Sequence, residues 1–239
     1  LESKQYKRLA YDEILSSLLV LSQNRKRLKK NKKRNKTFKN KISEILLKNF
    51  DFDLTKDQLK VIDEINSDLK SSLRMFRILQ GDVGSGKTIV SFMAASSVIE
   101  SNFQVVMMAP TEILAKQHFE LAKKIFQSTN IKIDFLTGKT KSKEKRIIEN
   151  NLLQGKINFL IGTHALFQKN IKFKNLGLAI IDEQHKFGVK QRIELASKGG
   201  NECDILLMSA TPIPRTLVMT VYGDMDISRI TEKPKSRKE

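Results

Sequence analysis

An α/β domain with a mostly parallel sheet and helices on both faces, preceded by a helical N-terminal segment, is the fold this 239-residue sequence predicts. Three observations predict it. From residue 75 onward, short apolar runs alternate with helical stretches, the rhythm of strand–helix–strand units. The runs are nearly continuous in apolar residues, as strands buried on both faces are. The first run leads directly into Gly81-Asp82-Val83-Gly84-Ser85-Gly86-Lys87-Thr88. That is a glycine-rich phosphate-binding loop, which belongs between a strand and a helix.

In chain order, residues 5–23 set Leu9, Ile14, Leu15, Leu18 and Leu19 on one helical stripe that needs a surface to pack on. Ile42, Ile45, Leu46 and Phe50 mark a second, short helix. Thr55 with Gln58 three residues on is a capping box. It opens a third helix with Leu59, Ile62, Ile65 and Leu69 on one face. Strands are expected at 76–80, 103–109, 131–136, 157–162, 177–182 and 204–209, with helices at 87–100, 112–127, 142–154 and 189–197. The chain then divides into a basic helical segment (1–50), the phosphate-loop domain (51–229) and a charged tail (230–239) that reads as a linker.

The net charge of +18 is unevenly placed. Residues 1–50 carry 15 lysines and arginines against four acids, and no acid interrupts Arg25 to Lys41. Such a run is either a solvated tether or a sequence-independent contact with nucleic-acid phosphates, and both alternatives stand. Cys203 is the single cysteine, which excludes an internal disulfide and fits a reducing cytoplasm. Its setting, before Asp204-Ile205-Leu206-Leu207, reads as a buried, inert thiol starting a strand. The apolar stretch Ile14–Leu21 is eight residues long, whereas a membrane span needs about twenty. It has no small-residue cleavage site, so neither a membrane partner nor a signal peptide is expected. A first residue of Leu1 suggests a piece of something longer.

The chemistry resides at the strand ends. Backbone N–H groups from Gly81 to Gly86 can curl around phosphates, Lys87 neutralises their charge, and the Thr88 hydroxyl can reach Mg²⁺. Leu178-Ala179-Ile180-Ile181 closes on Asp182-Glu183-Gln184-His185. Taken alone, that is an ordinary strand ending in an acidic turn. After a phosphate loop it supplies Asp182 to hold Mg²⁺, mostly through water, and Glu183 to deprotonate the attacking water. Together the two motifs indicate binding and hydrolysis of ATP.

Ser209-Ala210-Thr211-Pro212 ends another strand, where the Ser209 and Thr211 hydroxyls could sense the γ-phosphate; a plain proline turn is the alternative. Gln58 could serve its capping box or read the adenine edge. His118, His164 and His185 are too scattered for a zinc site, and His118 could simply face solvent on its helix.

These motifs, with Ala109-Pro110-Thr111-Glu112-Ile113-Leu114-Ala115 and Ile161-Gly162-Thr163-His164, resemble the ordered motifs of superfamily 2 helicases. The phrases Asp182-Glu183-Gln184-His185-Lys186-Phe187-Gly188 and Ala210-Thr211-Pro212-Ile213-Pro214-Arg215-Thr216-Leu217 resemble the RecG family of bacterial ATP-dependent DNA helicases. Leu136-Thr137-Gly138-Lys139 and Tyr222-Gly223-Asp224-Met225-Asp226 continue the likeness over about residues 50–238. Lys186 departs from it, standing where that family has arginine. The resemblance implies a RecA-like fold and a cytoplasmic, monomeric enzyme acting on branched or forked DNA in repair and recombination.

It further implies that Gln184 and His185 couple nucleotide state to DNA grip, and that Thr111, Lys116, Gly138 and Thr163 lie along the nucleic-acid track. It leaves to other parts of a parent a second RecA-like domain, with the arginine that completes the ATP site, and a wedge domain that recognises branches. This chain would then hold half a catalytic site and turn over poorly alone. A transcription-repair coupling factor shares some of these phrases, but Ser85 and Gln184 favour the RecG pattern. A GTP-binding switch would need an Asn-Lys-x-Asp guanine reader, which is absent. A DNA-binding fragment without turnover of its own is the remaining alternative.

Overall fold

The computed structural model of the chain describes residues 3–5, 8–16, 19, 32–182, 198–211 and 225–232. Seven strands form one sheet in the order β3-β4-β2-β5-β6-β1-β7, and every pairing is parallel. They are β1 (Phe76–Gly81), β2 (Gln104–Met108), β3 (Ile133–Leu136), β4 (Phe159–Gly162), β5 (Leu176–Ile181), β6 (Asp204–Ser209) and β7 (Asp226–Ile230). The first six match the sequence expectation to within two residues at each end.

The seventh, β7, carries Asp226, Ser228 and Arg229, which masked its strand character. It sits at the sheet edge, where one flank needs no apolar cover. Its Ile230, read from sequence as the start of the tail, is buried in the core.

Alternation along the strands assigns side chains to two faces. Leu79, Val105, Met107, Leu178, Ile180, Leu206 and Met208 meet helices α1 (Lys41–Lys48), α2 (Lys56–Lys70), α3 (Lys87–Glu100) and α4 (Glu112–Phe126). Ile78, Val106, Met108, Ala179, Ile181, Ile205 and Leu207 meet α5 (Ser142–Gln154) and the 3₁₀ turn His164–Phe167. Phe92, Phe126 and Phe159 pack edge to face, with centroids 5.9–6.1 Å apart, and lock α3 and α4 onto β4. The expected helix 189–197 lies outside the described residues. Residues 8–16 are helical, but Leu9, Ile14 and Leu15 are exposed, so the stripe has no covering surface among the described residues. No helix among those residues is long and apolar enough to cross a membrane.

Residues 25–31 of the basic run lie outside the described residues. Residues 32–41 do not trail as a solvated tether; they form a strap across the pole opposite the strand carboxyl ends, with Lys32, Arg34, Lys39 and Lys41 still exposed. Lys32 bridges antiparallel to Leu73, Lys33 N donates to Ser72 O at 2.9 Å, and Lys36 N donates to Leu69 O at 3.2 Å.

Both ammonium groups then turn inward onto the first residue of β6. Lys33 Nζ lies 2.7 Å from Asp204 Oδ1, and Lys36 Nζ lies 2.6 Å from Asp204 Oδ2. Met75 N adds a third donor to the same carboxylate at 2.6 Å, and all three side chains of the ion cluster are fully buried. Burial holds the Lys33 ammonium below the usual lysine range, with the Asp204 charge pulling the other way. Composition missed this because a lysine aimed at water and one folded onto a carboxylate some 170 residues away count alike.

Glu100, at the end of α3, accepts from Lys39 N at 2.7 Å and fastens the strap's far end. Cys203, just before β6, is buried and its thiol is pushed up to about 12 by that burial, in keeping with the inert role read from sequence. Beyond β7, Asp57 in the first turn of α2 accepts from Thr231 N at 2.8 Å and Glu232 N at 3.1 Å, pinning the chain as it leaves the sheet.

Candidate nucleotide site and nucleic-acid edge

Parallel strands bring their carboxyl ends to one edge, where α/β sheets hold ligands. Along it the order β5-β6-β1 gathers one set of motifs and β3-β4-β2 another.

β1 ends at Gly81, and α3 begins at Lys87. Between them Gly84 and Gly86 take φ of 84° and 88°, a left-handed backbone that side chains rarely adopt. A Cβ on Gly86 would also come within 2.2 Å of Gln58 Nε2. Gln58 lies against the loop because its amide donates to Ser85 O at 2.8 Å. Its other end, Oε1, accepts from Thr55 N at 2.9 Å, while Thr55 Oγ1 accepts from Gln58 N at 3.2 Å. The capping box therefore forms, and the same side chain braces the phosphate loop. Each end of the amide thus has a partner in this arrangement, with a second N–H and a second lone pair remaining.

Lys87 Nζ donates to Gly81 O at 2.5 Å and Asp82 O at 2.8 Å, so its ammonium lies across the loop. Ser85 Oγ is buried without a hydrogen-bond partner among the described residues. An orphan hydroxyl, a left-handed glycine backbone and a lysine ammonium lying across the loop form a cradle that suits a phosphate group. Thr88, in the first turn of α3, is half-buried beside it.

Asp182 follows β5 and is anchored by its own N–H, which donates to Met108 O at the end of β2 at 2.8 Å. Its Oδ2 lies 2.7 Å from His118 Nε2 on α4, and both side chains are buried. This overturns the solvent-facing reading of His118. Ala115, His118, Ala122 and Ile125 share the buried face of α4, so the helical period held the signal, but a lone polar residue on that stripe was taken for a surface one. Glu183, Gln184 and His185 lie outside the described residues.

At the end of β6, Ser209 Oγ and Thr211 Oγ1 are 3.1 Å apart, and Gln80 Nε2 donates to Thr211 O at 3.0 Å. The hydroxyl pair is thus tied to β1 at Gln80, the residue just before the phosphate loop.

On the other half of the edge, Thr111 caps α4, its hydroxyl accepting from Leu114 N at 3.2 Å. Lys116 and Gly138 are exposed, and Lys139 pairs with Glu112 at 2.7 Å, joining the β3 and β2 loops. Thr163 is buried, its hydroxyl has no hydrogen-bond partner among the described residues, and its N–H donates to Leu136 O at 3.2 Å. That backbone bond clasps the end of β4 to the end of β3.

Comparisons with known proteins agree with this geometry. The DEAD/DEAH box helicase family matches residues 55–220. The chain is 45% identical to the ATP-dependent DNA helicase RecG of Thermotoga maritima over 236 residues, which is 99% of this chain. It is 44% identical to that of Aquifex aeolicus over 235 residues, or 98% of this chain. It spans about 30% of the length of each. Among solved structures, RecG bound to a three-way DNA junction superposes with a TM-score of 0.85 at 42% identity, covering 98% of this chain and 31% of that one. The DEAD-box helicase Mss116 bound to ssRNA shares the fold, with a TM-score of 0.62 at 22% identity.

Proposed function

The chain belongs to the DEAD/DEAH box helicase family, and from that premise we propose that it is the ATP-binding lobe of a RecG-type helicase working on branched DNA. The observation that carries the proposal is one shared strand edge. The phosphate loop after β1, the hydroxyl pair after β6 and Asp182 after β5 stand on three adjoining strands.

Gly81 to Gly86 and Lys87 bind the phosphates, and Thr88 with Asp182 would hold Mg²⁺, which when bound neutralises phosphate charge. Glu183 takes a proton from the attacking water, and Gln58 meets the adenine edge. Ser209, Thr211, Gln184 and His185 pass nucleotide state to the nucleic-acid half of the edge. There Thr111, Lys116 and Gly138 meet backbone phosphates without reading bases.

In this reading the RecA-like unit runs from the strap at Lys32 through Ile230, with the residues before it leading from a wedge domain and those after it leading to the second RecA-like domain. The parent is a cytoplasmic monomer, a placement supported by the lone, buried Cys203.

The test uses the full-length parent. Glu183→Gln should leave ATP affinity within about twofold of wild type and abolish junction-stimulated hydrolysis, because an amide keeps the shape but cannot accept the proton. Turnover stimulated equally by linear duplex and by junctions would contradict branched DNA as the substrate. Undiminished hydrolysis by Glu183→Gln would contradict the assigned base.

A further inference from the structure

We propose that His118 is a positioning residue for Asp182 and ties that carboxylate to the loop that would touch nucleic acid. The inference deepens the proposed ATP and Mg²⁺ site and rests on it. A carboxylate only accepts, so the 2.7 Å contact has His118 Nε2 donating to Asp182 Oδ2. The hydrogen bond takes up one oxygen and fixes the plane of the group.

The remainder of the buried α4 face is Ala115, Ala122, Ile125 and Phe126. Small residues one turn before and one turn after His118 leave room for its ring. An apolar side chain would fill that slot without a polar group to satisfy, so the imidazole answers to Asp182 and not to the packing.

Two ties run from Asp182 to a single segment of chain. Its N–H holds Met108 O at the end of β2, and its carboxylate holds His118 seven residues beyond the Thr111 cap of α4. Seven residues of helix are about 10 Å. Between the ties lie Thr111 and Lys116, exposed on the nucleic-acid half of the edge. A phosphate that draws on this segment therefore moves the base of α4, and with it the one described carboxylate in the candidate metal site. His118 carries that displacement as a rigid strut.

The test measures binding of a fluorescent ATP analogue to this chain in Mg²⁺ and in EDTA, for wild type, His118→Leu, His118→Asn and His118→Gln. Hydrogen-bonded partners of metal-binding groups are worth roughly 10–100-fold in metal affinity. Because Asp182 would act largely through water, the Mg²⁺-dependent gain in affinity should fall about tenfold in His118→Leu, at the lower end of that range. Affinity in EDTA should be unchanged.

His118→Asn, too short to reach, should lose the same amount, and it carries the test if His118→Leu fails to fold. His118→Gln, which keeps a donor of similar reach, should recover most of the gain. A full Mg²⁺ gain in both His118→Leu and His118→Asn would overturn the inference. So would equal losses in Mg²⁺ and EDTA, the pattern of a purely structural residue. A wild-type chain with no Mg²⁺ gain would overturn the nucleotide site itself and this inference with it, an outcome distinct from failure in the variants alone.

Discussion

Asp204→Ala is expected to lower the unfolding free energy by about 3–5 kcal/mol, because it leaves two buried ammonium groups without their carboxylate. Folded domains are stable by only about 5–15 kcal/mol, so much of the margin would go. Met75 N would lose its acceptor as well. The cluster is costly to break and not intrinsically stabilising, since bringing charges out of water offsets most of their attraction. Replacing all three together, as Lys33→Met, Lys36→Met and Asp204→Leu, should accordingly cost far less than Asp204→Ala alone. Urea denaturation followed by circular dichroism separates the cases. A loss below about 1 kcal/mol for Asp204→Ala would remove the strap's anchor from the account. The same geometry bears on the basic run, because deleting residues 32–41 takes both lysines and would compromise the fold before it reported on DNA.

ATP turnover by this chain alone is expected to be about 10³–10⁵-fold slower than by the full-length parent. The factor is the contribution of an arginine that stabilises the transferring phosphoryl group when it is delivered from outside the phosphate loop. The resemblance to RecG assigns that arginine to a second RecA-like domain, and the chain spans about 30% of its relatives' length. Lys87 and Asp182 stand on the edge of a single sheet, which leaves the opposite side of a nucleotide to a partner domain. Steady-state hydrolysis on matched preparations, with and without junction DNA, measures the difference. Brisk, DNA-stimulated turnover by the chain alone would show that the site is already complete.

What the sequence disclosed was local in origin. The phosphate loop, the capping box at Thr55 and the first six strands each carry their signal within a few residues, and each is present where the pattern put it. What it concealed depends on contacts between distant residues. Lys33 and Lys36 find Asp204 only after the sheet forms, so a charge count assigned them to a tether or a nucleic-acid contact and not to a buried ion cluster. His118 finds Asp182 across 64 residues of chain, and its polar character suggested water when its helical phase pointed inward. Thr163 has a motif's identity but is buried by the close approach of Gly162 to Leu136, where a Cβ would come within 2.0 Å of the carbonyl oxygen. β7 failed the apolar test because its Asp226, Ser228 and Arg229 interrupt the run, which its place at the sheet edge tolerates.

The central claim, that the loop from Gly81 to Thr88 holds the phosphates of ATP, is tested most directly by calorimetric titration of MgATP into this chain and its Lys87→Ala variant. Lys87 Nζ already spans the loop, on Gly81 O and Asp82 O. Moving to a phosphate would exchange carbonyl partners for charged ones, and hydrogen bonds to charged groups contribute about 1.5–3 kcal/mol. Single-site, saturable binding is predicted for the wild-type chain, weakened by roughly tenfold or more in Lys87→Ala. Equal affinity in the two proteins, or no binding in the first, would contradict it.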